Sequence, residues 1–443
     1  MFVRGSVWFA IWTLAMCGRA AAQQPNPSPG QGGMQMPMPP GKQMPMPPGQ
    51  RMSMPMPENP LGIADTRDGS GTSWLPDASP MQGAMRHSGP WMLMLHGNAF
   101  VQFTKTGSDR GDDQFGSTNW IMGMAQRELG GGQLLFRTML SLEPLTVGKC
   151  GYPTLLQSGE SCNGAALHDR QHPHDVFVEV AADYRRAMTD AVAFELYGGP
   201  AGEPALGPTA FPHRLSAMPN PIAPISHHWL DSSHISFGVF TGGVYGRKWK
   251  VEASVFNGRE PDDQRWDFDF GALDSYSGRL WLMPSPQWAI QVSAGHLREA
   301  EFRASGPRED VNRVTASATY HRLVNSRLWA TTVAWGQNRE ANQSTSAITA
   351  ETAMDWTADD TLFARGEIVG KTTTELVLPL PDDETFTVTK LQIGYTRWLG
   401  ERHGMKAGLG GSGGLSVVPE MLRPFYGGRA AAEFSVFFAI RPH

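Results

Sequence analysis

From about Trp91 to the C-terminus the chain repeats one pattern, a stretch of apolar residues alternating with polar or small ones, followed by a turn. Trp288, Ile290, Val292 and Ala294 fall on one face, with Ala289, Gln291, Ser293 and Gly295 on the other. A second copy sets Val314, Ala316, Ala318 and Tyr320 against Thr315, Ser317, Thr319 and His321. Period-two alternation specifies β-strands whose two faces meet different environments. A soluble barrel would bury the apolar face. Here the polar face is small and carries charges, and an export signal precedes it, so the expected arrangement is inverted. Apolar faces meet lipid and polar faces line a lumen, as in a transmembrane β-barrel of the outer membrane.

The bulk numbers agree with one large barrel. The chain has 443 residues, 40% of them hydrophobic, and a formal net charge of −5. That charge is too mild, and too free of basic clusters, to suggest nucleic acid as a partner. No run of about 18 or more apolar residues follows the N-terminus, which excludes spanning by helices. The mean hydropathy of −0.31 suits strands that give half their residues to a polar lumen.

Residues 1–22 read as a secretory signal peptide, with Arg4 at the positive start, Val7 to Met16 as the apolar core and Ala20-Ala21-Ala22 at the cleavage site. The rival, a lipoprotein signal ending on Cys17, has Met16 where a small residue is wanted. Cleavage after Ala22 leaves Cys150 and Cys162, which flank a Gly/Ser/Pro-rich segment. In an exported protein that pair points to a loop-closing disulfide, and a separation of twelve positions gives no chelating spacing.

Residues 23–60 form a low-complexity Met/Pro tail, and proline at that density predicts an extended, disordered segment. Residues 61–90 read as a linker, and the barrel occupies 91–443. The expected strands are 91–104, 120–129, 133–146, 174–186, 191–199, 234–246, 249–257 and 275–284, then 287–297, 311–323, 327–337, 346–357, 361–371, 385–398, 404–418 and 429–441. That makes about 16, an all-β antiparallel barrel. Alternate links are tight, such as Gly130-Gly131-Gly132, Arg247-Lys248 and Asn325-Ser326, and those between are long and charged, such as 105–119, 258–274 and 372–384. Short turns at one end and long loops at the other mark bacterial outer-membrane barrels, and an even strand count returns both termini to the periplasm. The last strand, with Ala432, Phe434, Val436, Phe438 and Ile440 on one face, is similar to the C-terminal insertion signal of such barrels, although the chain continues through Arg441-Pro442-His443.

Three features bear on chemistry. Met34, Met36, Met38, Met44, Met46, Met52, Met54 and Met56 crowd into one part of the tail. Thioethers are soft, uncharged donors suited to Cu(I) or Ag(I). The alternative is a proline-rich spacer enriched in methionine by repeat expansion. Second, His168, His172, His174, His227, His228 and His234 are candidate metal ligands in or beside the second and third long loops, with His213 between them. Imidazole suits Cu(II), zinc or nickel, and Asp169, Asp175 and Asp231 are placed to orient the rings. Alternatively these side chains hydrogen-bond loops packed in the barrel mouth. The third loop, about 200–233, carries Pro200, Pro204, Pro208, Pro212, Pro219, Pro221 and Pro224, so it has few backbone donors and is expected to fold inward as a plug or constriction. Third, strand phasing turns Glu179, Asp183, Glu195, Glu252, Glu351, Asp355, Glu367 and Glu433 inward, with Arg279 and Arg365. That excess of acid would favour cations, unless the carboxylates pair with neighbouring bases.

Gly-x-Ser-x-Gly, P-loop and dinucleotide fingerprints are absent, so an enzyme is the least supported class. His172-Pro173-His174-Asp175, the run Gly198-Gly199-Pro200-Ala201-Gly202-Glu203-Pro204-Ala205-Leu206-Gly207-Pro208, Ser226-His227-His228-Trp229 and Asp231-Ser232-Ser233-His234-Ile235 together resemble a family of bacterial outer-membrane barrels of unassigned activity, associated with metal resistance. The Met/Pro tail is similar to the N-terminal region of the B-type outer-membrane copper-resistance proteins. These resemblances imply soft-metal binding, tolerance or passage, with copper or silver ions and periplasmic metal carriers as partners besides the outer-membrane lipid. A small-solute porin with a cation-leaning lumen, or a surface protein acting through its long loops, are the alternatives. No cofactor is certain; Cu(I) or Cu(II) is the candidate. Deleting residues 34–56 is expected to lower copper or silver tolerance of cells that depend on this protein, read as growth in graded metal, and unchanged tolerance refutes a role for the tail.

Overall fold

The structure is a computed structural model that describes residues 58–301, 308–340, 343–381 and 384–442. The signal peptide and the Met/Pro tail therefore lie outside the described residues. In chain order the strands are β1 (Ala84–Ser88), β2 (Trp91–Thr106), β3 (Asp113–Leu129), β4 (Gly132–Leu140), β5 (Tyr152–Cys162), β6 (Ala165–Gln171), β7 (Phe177–Ala187), β8 (Ala193–Ala201), β9 (Val239–Gly246) and β10 (Trp249–Phe256). They continue with β11 (Ser275–Leu282), β12 (Trp288–Glu301), β13 (Glu309–Val324), β14 (Arg327–Glu340), β15 (Gln343–Asp355), β16 (Asp360–Thr372), β17 (Thr385–Arg402), β18 (Met405–Val417) and β19 (Ala430–Pro442).

β2, β3, β4 and β7 to β19 form a closed antiparallel barrel of 16 strands, sealed where β19 pairs with β2 from Glu433↔Thr106 to Ile440↔Ala99. Closure satisfies every strand edge within the wall, which lipid demands because it offers no hydrogen bonds. The stagger leaves the first residues of β2 unpaired by β19, and β1 covers them in register Ala84↔Leu95 to Ser88↔Trp91.

The inverted pattern is realised strand by strand. On β12 and β13, Val292 and Val314 are exposed while Gln291, Ser293, Thr315, Ser317 and Thr319 are buried. Val251, Val255, Ile348, Ile368, Leu391, Ile393 and Val436 continue an exposed apolar belt around the outside. At the turn end Trp288 packs on Tyr320 at 4.9 Å and Tyr320 on Trp329 at 6.1 Å, an aromatic girdle suited to the lipid–water boundary.

The structure departs from the sequence reading in three places. β3 starts at Asp113, so the first loop is short, and β4 stops at Leu140, where Pro144 opens a single helical turn over Glu143–Thr146. The second loop contains a β-hairpin, β5–β6, which packs Leu155 and Leu156 against Val369, Val388 and Tyr426 beneath the loop end. Cys150 and Cys162 are joined by a disulfide beside it, with Cα atoms 5.4 Å apart. The residues expected as a linker, 61–90, contain β1, and the stretch before it is packed inside the barrel at the turn end. Leu61, Ile63 and Trp74 form a buried cluster with Tyr245, Trp281 and Met283.

Replacing Ile393, 66% exposed at the middle of β17, with arginine is expected to destabilise the inserted barrel by about 2–4 kcal/mol in a denaturant titration in lipid vesicles. An unshifted midpoint would place this face away from lipid.

Candidate functional site

The lumen is filled from both ends. From the turn end, residues 58–79 satisfy the inward-facing side chains of the wall with their own polar groups. Gln126 donates to Asp65 at 2.8 Å, Gln133 to the Glu58 carbonyl at 3.1 Å, and Arg185 pairs with Asp68 at 2.7 Å. Arg137 donates to the carbonyls of Gly69 and Gly71, and Lys250 to that of Thr72. Arg67 and Lys250 each lie 4.8 Å from the Trp74 ring, a cation–π sandwich inside the barrel.

From the loop end, the third loop, 202–238, crosses the lumen. It is almost wholly buried and hydrogen-bonds β2, β8 and every strand from β10 to β17. Ala205 N–H donates to Ser254 at 2.7 Å and Gly207 N–H to Ser293 at 2.8 Å, while Arg279 donates to the Gly207 carbonyl at 3.0 Å. Farther round, Arg313 reaches Ser232, Ser216 donates to Thr332, Arg365 to the Ile222 carbonyl and Asn220 to Gln392. Glu203 N–H donates to Tyr197 on β8, and Asn98 on β2 donates to the Met218 carbonyl at 2.9 Å. Its six prolines remove donors, and of the amides that remain, those of Glu203, Ala205, Gly207 and Ser226 find wall side chains while many others bond carbonyls within the loop. The two fillings touch, with Ala210 N–H donating to Ser70 at 2.8 Å.

Arg214 is the pivot. Its guanidinium, wholly buried, lies 2.7 Å from Asp231 within the loop and 2.5 Å from Glu351 on β15. Asp231 in turn holds His227 Nδ1 at 2.8 Å. The Arg214 pair keeps Asp231 well below the usual carboxylate range despite its burial.

The acids expected to face inward do so, and six of the eight are ion-paired among the described residues. Arg137 meets Glu179 at 2.8 Å, and Arg185 meets Asp183 and Glu195 at 2.7 and 2.8 Å. Arg279 meets Glu252 at 2.8 Å, Arg365 meets Glu351 at 3.1 Å, and Lys390 meets Glu433 at 2.9 Å. Glu367 accepts from Ser226, and Asp355 from Thr361. The cation-leaning lumen is thereby corrected. Cross-strand neighbours such as Glu252↔Arg279 and Glu351↔Arg365 cancel one another because unpaired charge in a packed interior costs several kcal/mol.

The candidate histidines are mostly brought together. His172, His174, His227, His228 and His234 are all buried, with ring centroids 5.1 Å apart for His227–His234, 5.3 Å for His174–His234, 5.4 Å for His227–His228 and 5.9 Å for His172–His228. His168 stands apart, partly exposed, 2.9 Å from Asp169. Within the cluster each ring has a carboxylate or carbonyl: His172 lies 3.1 Å from Glu160, His174 2.9 Å from Glu143, His228 3.0 Å from Glu260, and His234 2.8 Å from the Asp231 carbonyl. Asp175 pairs with Arg265 rather than with a ring. Burial pushes His227 down to about 4 against the pull of Asp231, and His172 and His234 lie well below their ordinary value for the same reason. Burial pushes Glu160 up to about 8, with Arg265 opposing. Burial lowers His174 too, but Glu143 outweighs it and raises that ring above its ordinary value, and the five rings with their acids make a packed seam between two loops. Among the described residues, the group of three or more imidazole, thiolate or carboxylate donors within 4.8 Å of one another is Asp262, Asp267 and Asp269 on the fourth loop, not these histidines.

The sequence reading missed one donor set. His96 on β2 lies 3.1 Å from Met122 Sδ on β3, and His213 of the third loop lies 3.3 Å from Met139 Sδ on β4. Only the strand register, His96↔Met122 and Met122↔Met139, places them at one height.

No family model and no curated protein matches the chain. Among solved structures it is similar to Salmonella typhi OmpF in complex with daunomycin, at 8% identity and a TM-score of 0.50, over 80% of this chain and 99% of that one. It also aligns with an anion-selective porin from Comamonas acidovorans, at 9% identity and a TM-score of 0.49, over 80% and 99%. The outer membrane channel DcaP of Acinetobacter baumannii aligns at 8% identity and 0.47, over 82% and 100%. The likeness to OmpF supports the barrel fold.

Arg214→Met is expected to leave Asp231 buried without its guanidinium and Glu351 with Arg365 alone, a cost of about 3–5 kcal/mol. Hydrogen exchange within 205–234 should rise sharply while the strands stay protected. Unchanged protection there would remove Arg214 as the pivot.

Proposed function

We propose that this protein is an outer-membrane channel of porin architecture held closed by an internal gate, with the turn end toward the periplasm. The single observation that carries this reading is the third loop, which bridges the lumen from β8 round to β17 and β2. Residues 58–79 close the other end. A gate of this kind opens without unfolding the barrel, because its bonds to the wall are side-chain contacts and the ladder is untouched. Water and a hydrated solute can replace those contacts one for one, whereas a hydrophobic plug could not be wetted so readily. With most wall acids held by basic partners, the closed lumen offers little free charge of either sign. Selectivity on this reading belongs to whichever pairs the opening gate separates.

Soft-metal handling is the finer reading. Its support is the methionine-rich tail, which lies outside the described residues, and the sulfur and imidazole donors on the lumen wall. A surface protein acting through its loops is less favoured, since the second and third loops turn most of their side chains inward.

In planar bilayers the purified protein is expected to give few or no single-channel steps. Replacing residues 209–225 by a short Gly/Ser link, with residues 58–79 removed as well, should give steady porin-like steps. Equal, sustained conductance in both proteins would overturn the gate.

A further inference from the structure

The lumen-facing side of β2, β3 and β4 is sulfur-rich. Met92, Met94, Met122, Met124 and Met139 all share the inward parity fixed by Asn98, Gln126 and Arg137, whose side chains bond the internal plug and third loop. Cross-strand pairing sets Met94 opposite Met124 and Met122 opposite Met139. Elsewhere the wall shows the plug mostly serine, threonine and charge, with aromatic clusters such as Phe100, Phe363, Trp398 and Phe437. Met122, Met124 and Met139 pack with Trp120, Val178, Ile235 and Phe237, but hydrophobic packing alone does not explain imidazoles placed among them.

Two imidazoles complete the patch. His96 Nε2 stands 3.1 Å from Met122 Sδ, and His213 Nε2, delivered from the gate, stands 3.3 Å from Met139 Sδ. The two rings are 5.3 Å apart, and both pack on Trp120, at 5.0 and 4.6 Å. Donors that share one ion at about 2.0 Å for nitrogen and about 2.3 Å for sulfur must themselves lie about 3–4 Å apart. Both N–S pairs meet that requirement. Met122 and Met139 are buried, while Met94, His96 and Met124 are partly exposed, which leaves an approach along the same sulfur-lined face. Arg137, two residues from Met139 on the same face, is neutralised by Glu179 at 2.8 Å.

The donor set is two imidazoles and two thioethers with no carboxylate in it. Hard divalent ions prefer oxygen, and zinc sites draw on thiolate, imidazole and carboxylate; thioether with imidazole selects soft monovalent d10 ions. We infer that His96, Met122, Met139 and His213 form a binding site for one soft monovalent cation, Cu(I) or Ag(I), at the junction of the barrel wall and the third loop. Because His213 belongs to the loop and the other three to the wall, the ion pins the gate to β2–β4. The site stands whether or not the gate conducts, so its failure and failure of the channel reading are separable.

The test is an Ag(I) titration of the full-length chain in detergent, using a form whose eight tail methionines are replaced by leucine so that the tail contributes no thioether. The expected result is one tight equivalent, together with a raised thermal midpoint for loss of heat-modifiable migration. Adding Met122→Leu and Met139→Leu, which nearly conserve volume, should weaken binding more than about tenfold while the barrel still migrates as folded. Binding that is absent before those changes, or equal after them, overturns the site. Should the leucine pair fail to fold, X-ray absorption on the silver-loaded tail-substituted protein decides: mixed nitrogen and sulfur ligation supports the site, and oxygen-only or sulfur-only ligation refutes it. Single-channel recordings with and without Ag(I) report on the gate alone and leave this outcome untouched.

Discussion

A barrel in lipid must turn its polar faces inward, and everything distinctive here follows from filling that polar interior. Apolar side chains outside satisfy the membrane, and the closed sheet satisfies the backbone. What remains is a tube lined with arginine, lysine, glutamate and hydroxyls. Left wet, such a tube is a pore. Packed, it needs a partner for each charge, because an isolated buried ion is far more costly than a paired one. This chain supplies partners from three sources: cross-strand neighbours on the wall, the carbonyls of residues 58–79, and the third loop.

Those sources are interlocked. Glu351 serves both Arg365 beside it and Arg214 from the loop. Lys250 contacts Glu195 on the wall, the Thr72 carbonyl and the Trp74 ring of the N-terminal segment. Arg279 binds Glu252, the Gly207 carbonyl and Thr72 together, tying wall, loop and segment in one side chain. Loosening either filling therefore exposes charges that the other still holds. Such coupling favours a gate with a few defined positions over gradual wetting. The histidine seam adds a second layer, where the hairpin of the second loop meets the third through His172, His174, His227 and His228.

The wall was readable in the sequence because its physics is periodic. Alternation marks each strand, and turns such as Arg247-Lys248 and Asn325-Ser326 punctuate them with little ambiguity. The inward parity of Glu179 or Glu252 followed from that phase. Their partners did not, since pairing Glu252 with Arg279 requires the register of β10 on β11. Residues 61–79 were misread as a linker for a related reason. A segment that packs against a polar wall needs no apolar period, and its Gly, Ser and Asp look the same in water. The clue was sparse: Leu61, Ile63, Trp74 and Leu75 are large apolar residues with no evident use in a spacer. The inward third loop was foreshadowed by its prolines. The His96–Met122–Met139–His213 set was invisible, because its members come from three strands and a distant loop and show no local motif.

The third loop lies across the lumen against β14. Ser216 Oγ and Thr332 Oγ1 are 2.8 Å apart in the structure, close enough for the cysteine pair Ser216→Cys and Thr332→Cys to oxidise. The measurement is the yield of that crosslink in the exported, membrane-inserted protein, read by mass spectrometry. The account predicts near-complete crosslinking in a barrel that still migrates as folded. A folded barrel in which both thiols stay free and label freely from outside would contradict it.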